Sequence, residues 1–131
     1  MFELGTASLG HLSTASVHMQ VVVKAAIKAS AIDFSCVAGL RDGLTQDRLF
    51  ADGKSKARAG ESPHQFGLAV DLYPYPVDWS DEGQKAFHYL GGLITATGAA
   101  HGVPIVWGGT WTSFLDLPHF EHAEWRQLKD K

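Results

Sequence analysis

The segment ESPHQFGLAVDLYPYP, Glu61 to Pro76, restricts this chain more than any other stretch. From Gly67 to Tyr73 it reads as a strand, and a strand sends alternate side chains to opposite faces. Leu68, Val70 and Leu72 form one face, which is apolar and must pack on a core. Gly67, Ala69 and Asp71 form the other. Two small residues leave space above the sheet, and a carboxylate projects into that space. Pro74 and Pro76 stop the run, since proline cannot donate to a β-ladder. Such a strand is built like the floor of a pocket.

The rest of the chain supplies partners for it. Ser13 to Ala31 predicts one helix, capped by Ser13 or Thr14, with an imperfect stripe of Val17, Val21, Val22, Ala25, Ile27 and Ala29. Ala31 to Leu40 is strand-like, with Ile32, Phe34, Cys36 and Ala38 alternating. Gly43 breaks the chain, and Thr45 is placed to cap a short helix through Leu49 and Phe50. Ala51 to Pro63 reads as an exposed loop carrying Lys54, Lys56 and Arg58. Ser80 to Ala100 predicts a second long helix, with Ser80 as N-cap and Asp81 and Glu82 in its first turn. Its core face is Phe87, Leu90, Leu93, Ile94 and Thr97, and Gly102 ends it. Val103 to Trp107 is a short strand, Gly108 and Gly109 turn the chain, and Trp111 to Leu117 is irregular. His119 to Glu121 is the last strand. The interleaving predicts an α+β fold, a small central antiparallel or mixed sheet with flanking helices. At 131 residues, 45% of them hydrophobic, residues 1–131 suit a single domain.

Bulk properties narrow the function. The formal net charge is -3, and charged residues are 19%. A nucleic-acid binder would carry a clustered basic surface, so nucleic acid is not an expected partner. No apolar run approaches the roughly 20 residues of a membrane span, so no membrane is expected either. The start MFELGTASLGHL has neither a basic n-region nor a long apolar stretch, which predicts no signal peptide. The single cysteine, Cys36, reads as a small buried hydrophobe.

His64 lies seven positions before Asp71. Fully extended, that separation spans roughly 23–25 Å, far too much for two ligands of one ion. The chain must therefore turn between them if they cooperate, and Gly67 is the candidate bend. Spacing alone leaves the alternative of a loop histidine beside an unrelated aspartate. A second cluster, DLPHFEH, runs from Asp116 to His122. Pro118 pushes Leu117 to an extended conformation, and His119 then shares a strand face with Glu121. His64, Asp71 and His119 together make a two-histidine, one-carboxylate set, which suits a catalytic Zn²⁺ with an open fourth position. Asp116, three residues before His119, is placed to be a general base. Glu121 either orients His119 or is simply solvated. The HExxH signature of helix-borne zinc proteases is absent.

SPHQFGLAVD, Ser62 to Asp71, matches the SxHxxGxAxD motif in full, and DLPHFE supplies the acidic residue, two positions, then histidine that follows it. On these motifs the chain resembles the M15 peptidases, zinc enzymes that cut peptidoglycan stem peptides. VAGLRDGLTQDRLFADGKSKA and WGGTWTSFLDLPHFEH resemble further parts of the phage endolysins in that group. The resemblance runs from about Ser8 to Glu121. It implies the zinc fold of D,D-peptidases and hedgehog domains. It implies His64, Asp71 and His119 as zinc ligands, Asp116 as catalytic base, Arg41 at the substrate carbonyl and its oxyanion, and Ser62 near the substrate. Asp42 stands where the family has a threonine, a departure next to Arg41 that changes the local field around it. The expected activity is an L-alanyl-D-glutamate endopeptidase that lyses bacteria as a monomer, acting on the cell wall after holin-assisted release from a host cytoplasm. The alternatives are a D,D-carboxypeptidase or D-Ala-D-Ala dipeptidase, and a non-catalytic zinc-containing binding module.

Overall fold

The structure is a computed structural model and describes residues 1–54 and 61–130. Lys56 and Arg58 of the expected basic loop lie outside the described residues. Five α-helices are found among the described residues: α1 (Thr6–Ser13), α2 (Val17–Ala29), α3 (Gly43–Ala51), α4 (Gln84–Ala100) and α5 (Trp125–Leu128). The strands are β1 (Phe34–Ala38), β2 (Ala69–Pro74), β3 (Ile105–Trp107) and β4 (His119–His122). They form one four-stranded sheet in the order β1-β2-β4-β3, antiparallel at every pairing. The fold class is α+β as expected, with the sheet wholly antiparallel rather than mixed.

One face of the sheet is core. Phe34, Val70, Leu72 and Phe120 pack there with Leu12 of α1, Met19, Val22, Val23 and Ala26 of α2, and Phe87, Leu90 and Ile94 of α4. Burying a side chain of this size stabilises the fold by about 1.5–3 kcal/mol. The predicted apolar strand face is correct: Leu68, Val70 and Leu72 are all buried. Cys36 is buried on the same side of the molecule, and burial pushes its thiol up to about 11, so it is protonated at neutral pH.

The helix boundaries differ from the sequence reading in ways that capping explains. The predicted helix between Ser13 and Ala31 is present but shorter, as α2, and α1 precedes it where the sequence reading placed no helix. Ser13 and Thr14 do not cap α2; Ser16 does, its hydroxyl accepting from the Met19 amide. Starting there rotates the buried face to Met19, Val22, Val23, Ala26 and Ile27, and leaves Val17 and Val21 exposed. Likewise Asp42, not Thr45, caps α3, by accepting from the Thr45 amide at 2.7 Å. Helix α4 begins four residues late. Ser80 instead supports a turn before it, accepting from the Gly83 amide, and Gly83 takes the N-cap position.

Candidate metal centre

Three backbone devices bring distant residues to the open face of the sheet. The first is a 3-10 turn, Pro63–Phe66, that ends on Gly67 at φ +69°. This left-handed conformation costs a residue with a Cβ about 1–2 kcal/mol, so glycine belongs there. The reversal folds His64 back over β2, as the spacing required. Ser62 caps the turn: its buried hydroxyl accepts from the His64 amide at 3.3 Å. The second device is a register shift between Cys36 and Ala38 at the end of β1, opposite Leu72 and Asp71. Bulges bend and twist a strand, and the chain leaves β1 here for Gly39 and Arg41. A Cβ on Gly39 would collide with the His11 carbonyl and the Thr14 hydroxyl, so only glycine lets this backbone pass so close. The third is antiparallel pairing of β2 with β4, which sets Asp71 directly opposite His119.

Together these converge His64, Asp71 and His119. Their nearest ligand atoms all lie within 4.8 Å of one another. His64 Nε2 is 3.3 Å from Asp71 Oδ1, and His119 Nδ1 is 3.5 Å from the same oxygen. Both histidines are buried, and the Asp71 side chain is 20% exposed. Nδ1 of His64 lies 2.9 Å from the Gly39 carbonyl oxygen. A carbonyl only accepts, so Nδ1 carries the proton and Nε2 presents a lone pair to the cluster. Nε2 of His119 lies 2.8 Å from Glu121 Oε1, which assigns its proton to Nε2 and leaves Nδ1 facing Asp71.

The donors fit a divalent cation. His64 Nε2 and Asp71 Oδ1 are buried atoms without a hydrogen-bond partner among the described residues. Stranding such atoms is costly unless something binds them. Two imidazole nitrogens and a carboxylate oxygen are the ligand types of zinc sites with an open position. The electrostatics agree. Burial alone would raise the Asp71 carboxyl, but the imidazoles of His119 and His64 beside it hold it far below the usual carboxylate range. Burial alone would lower His119, yet Asp71 and Glu121 push it up to about 9, so without an ion Nδ1 also carries a proton, one that a bound cation would displace to reach the lone pair. The pocket therefore favours positive charge between these groups.

Around the cluster lies an open groove of about 690 Å³. Asp116 lines it, held on the loop before β4: its amide donates to the Gly108 carbonyl, and its own carbonyl accepts from the His119 amide. Trp107 pins the same loop by donating from Nε1 to the Leu117 carbonyl at 2.7 Å. Burial raises the Asp116 carboxyl above its ordinary value; His119, His64 and Arg41 pull against that shift and Asp71 adds to it. All four groups thus lie within electrostatic reach of Asp116. Arg41 Nη2 sits 3.6 Å from Asp71 Oδ2, and Arg41 Nη1 donates to Gln46 Oε1 at 2.8 Å. Asp42, beside Arg41, is the N-cap of α3. Trp111 lines the groove and its ring lies 5.0 Å from that of His119. His122 points to the other side, edge-on to His18.

All six residues singled out in the sequence line this groove. Gln46 and Tyr73 were missed. Gln46 is fully buried against Arg41, but a lone glutamine on a short helix carries no pattern. Tyr73 is two residues after Asp71 on the same strand face, a signal that was available. Its phenol is raised by burial and by the nearby charges of Asp71 and Asp116. No helix among the described residues is long and apolar enough to cross a membrane.

A family profile described as D-alanyl-D-alanine carboxypeptidase, of peptidase family M15, matches residues 55–122. The peptidoglycan L-alanyl-D-glutamate endopeptidase of Bacillus subtilis is 32% identical over 110 residues, covering 76% of this chain and 66% of that protein. The L-alanyl-D-glutamate peptidase of Escherichia phage T5 is 29% identical over 119 residues, covering 88% and 85%. Among solved structures, an L-Ala D-Glu endopeptidase of Serratia marcescens superposes with a TM-score of 0.83 at 24% identity, over 97% of this chain and 94% of that one. A vancomycin-resistance D,D-pentapeptidase crystallised with Zn(II) gives 0.53 at 18% identity, over 87% and 75%.

Proposed function

This chain belongs to the M15 peptidase family, and from that premise we propose that it is a zinc L-alanyl-D-glutamate endopeptidase that cuts the stem peptide of peptidoglycan. The observation that carries the reading is the buried cluster of His64, Asp71 and His119, with His64 Nε2 and Asp71 Oδ1 unpartnered. Those three residues would hold the ion, which when bound supplies Lewis acidity to polarise a scissile carbonyl and lower the pKa of a water to about 7. Asp116 is the general base. It takes a proton from the attacking water and delivers it to the leaving amine. Its raised pKa suits that work, because a carboxyl that gives back a proton must not be too strong an acid. Arg41 stabilises the negative charge that develops on the carbonyl oxygen. Gln46 and Asp71 hold its guanidinium from two sides, so the charge is in place before the substrate arrives. Ser62 acts through the backbone, keeping the His64 turn closed. Two relatives, from Bacillus subtilis and phage T5, are both named for the L-alanyl-D-glutamate bond, which supports that bond over the D,D-linkage.

Digestion of purified peptidoglycan, with the new termini identified by mass spectrometry, tests this. A new D-glutamate amine with no released D-alanine is expected. Released D-alanine would instead establish the D,D-carboxypeptidase alternative. A binding module without activity would leave the stem peptides intact, and it would have no use for a half-buried carboxyl at Asp116.

A further inference from the structure

We infer that Glu121 is a positioning residue that sets the affinity of the metal centre, by fixing the ring of His119 through its Nε2–H. The inference rests on the metal reading above and adds a residue to it. Among the described residues, each of the three donors has one outer partner. His64 is held by the Gly39 carbonyl at 2.9 Å, Asp71 by Arg41 at 3.6 Å, and His119 by Glu121 at 2.8 Å. The Glu121 contact is the shortest of these and sets an anionic acceptor against an imidazole N–H. Charge-assisted bonds of this kind are roughly twice as strong as neutral ones.

The contact also selects a tautomer. With Nε2 protonated, Nδ1 offers its lone pair on the side of Asp71, 3.5 Å away. The opposite tautomer would point an N–H at the ion and remove a ligand. Carboxylate partners of metal-bound histidines act in this way.

The fold builds the contact in. Glu121 and His119 are two residues apart on β4, so they share the open face. β4 is an inner strand: Glu121 is paired to Ala69 of β2 on one side and Val106 of β3 on the other. Its backbone therefore cannot drift. The residue opposite on β2 is the fully buried Ala69, whose small side chain leaves room for the carboxylate to lean towards His119. The side chains of Glu121 and His119 are 12% and 7% exposed, so this is no solvated surface pair. Ala69, noted in the sequence only as a small residue beside Asp71, thus serves the far side of the cluster as well.

The test is zinc affinity, measured by competition with a chromophoric chelator for wild type, Glu121→Ala and Glu121→Gln, beside the unfolding midpoint of each metal-free protein. Glu121→Ala should bind zinc about 10–100-fold more weakly. Glu121→Gln keeps an oxygen acceptor but loses its charge, so its affinity should fall between the two. The visible absorption of the Co²⁺-substituted protein should shift in the same order. Wild-type affinity in Glu121→Ala overturns the inference, even if the metal-free protein is less stable, because a merely structural glutamate would change only stability. If the alanine variant fails to fold, unweakened binding by Glu121→Gln overturns it alone. A wild-type protein that binds no zinc would instead remove the metal reading, and this inference with it.

Discussion

Substituting Gly67 by alanine tests the bend that assembles the site. Two costs are expected. A Cβ at φ +69° is disfavoured by about 1–2 kcal/mol, part of which is offset because alanine also restricts the unfolded chain by about 0.4–1 kcal/mol. The net backbone cost is thus about 1 kcal/mol. The second cost is steric. The new Cβ would lie 3.1 Å from the Ser16 amide nitrogen and 3.3 Å from the Thr14 carbonyl. That amide donates to the Gly67 carbonyl at 2.8 Å, so neither segment can retreat without stretching the bond that ties the turn to the start of α2. Overpacking against backbone adds about 1–2 kcal/mol. Gly102 provides the control: its φ is +71°, but nothing lies within 4 Å of its Cβ position. For 131 residues, 1 kcal/mol corresponds to about 4 °C in Tm. Gly102→Ala should therefore lower Tm by about 4 °C and Gly67→Ala by about 8–12 °C. Thermal unfolding followed by circular dichroism, with and without zinc, measures both. Zinc should rescue Gly67→Ala less than wild type, since the shifted turn carries His64. Equal effects of the two substitutions would refute the steric argument, and undiminished zinc stabilisation would refute the link between bend and site.

The geometry also sets the behaviour of the base and of the ion. Asp116→Asn should lower kcat about 10²–10⁴-fold while zinc remains bound, as measured by turnover of a defined stem peptide beside metal analysis. A base works only when ionised, and burial raises the Asp116 carboxyl, so the wild-type rate should fall on acidification at a pH above the usual carboxylate value of about 4. The asparagine variant should lack that limb. Zinc at 100 times its Kd should stabilise the protein by about 2.7 kcal/mol, or about 10 °C in Tm. Chelation should remove that increment together with peptide hydrolysis, and His64→Ala should show no increment at all.

Much of the site was legible because its chemistry sits in short motifs. Strand periodicity alone put Asp71 on the small-residue face of β2 and His119 beside Glu121 on β4, and both placements hold. The need for a bend at Gly67 followed from chain length, and the left-handed turn is there. Helix ends were less legible. Ser13, Thr14, Thr45 and Ser80 are all good caps by residue type, yet Ser16, Asp42 and Gly83 take the N-cap positions. Ser16 wins because its amide is also bonded to the Gly67 carbonyl, a contact between segments about 50 residues apart.

What the sequence determined by itself is therefore local: which residues can bind a metal, which face of a strand each occupies, and where the chain must turn. These depend on side-chain type and backbone geometry over a few residues. Only the tertiary structure decided what holds the candidate ligands. The Gly39 carbonyl on His64, Gln46 on Arg41 and the choice of Glu121 as an orienting rather than a solvated carboxylate follow from the β1 irregularity and the β2–β4 register. Hydrogen bonds that aim a side chain are set by distances between separate elements, and no periodicity along the chain encodes them.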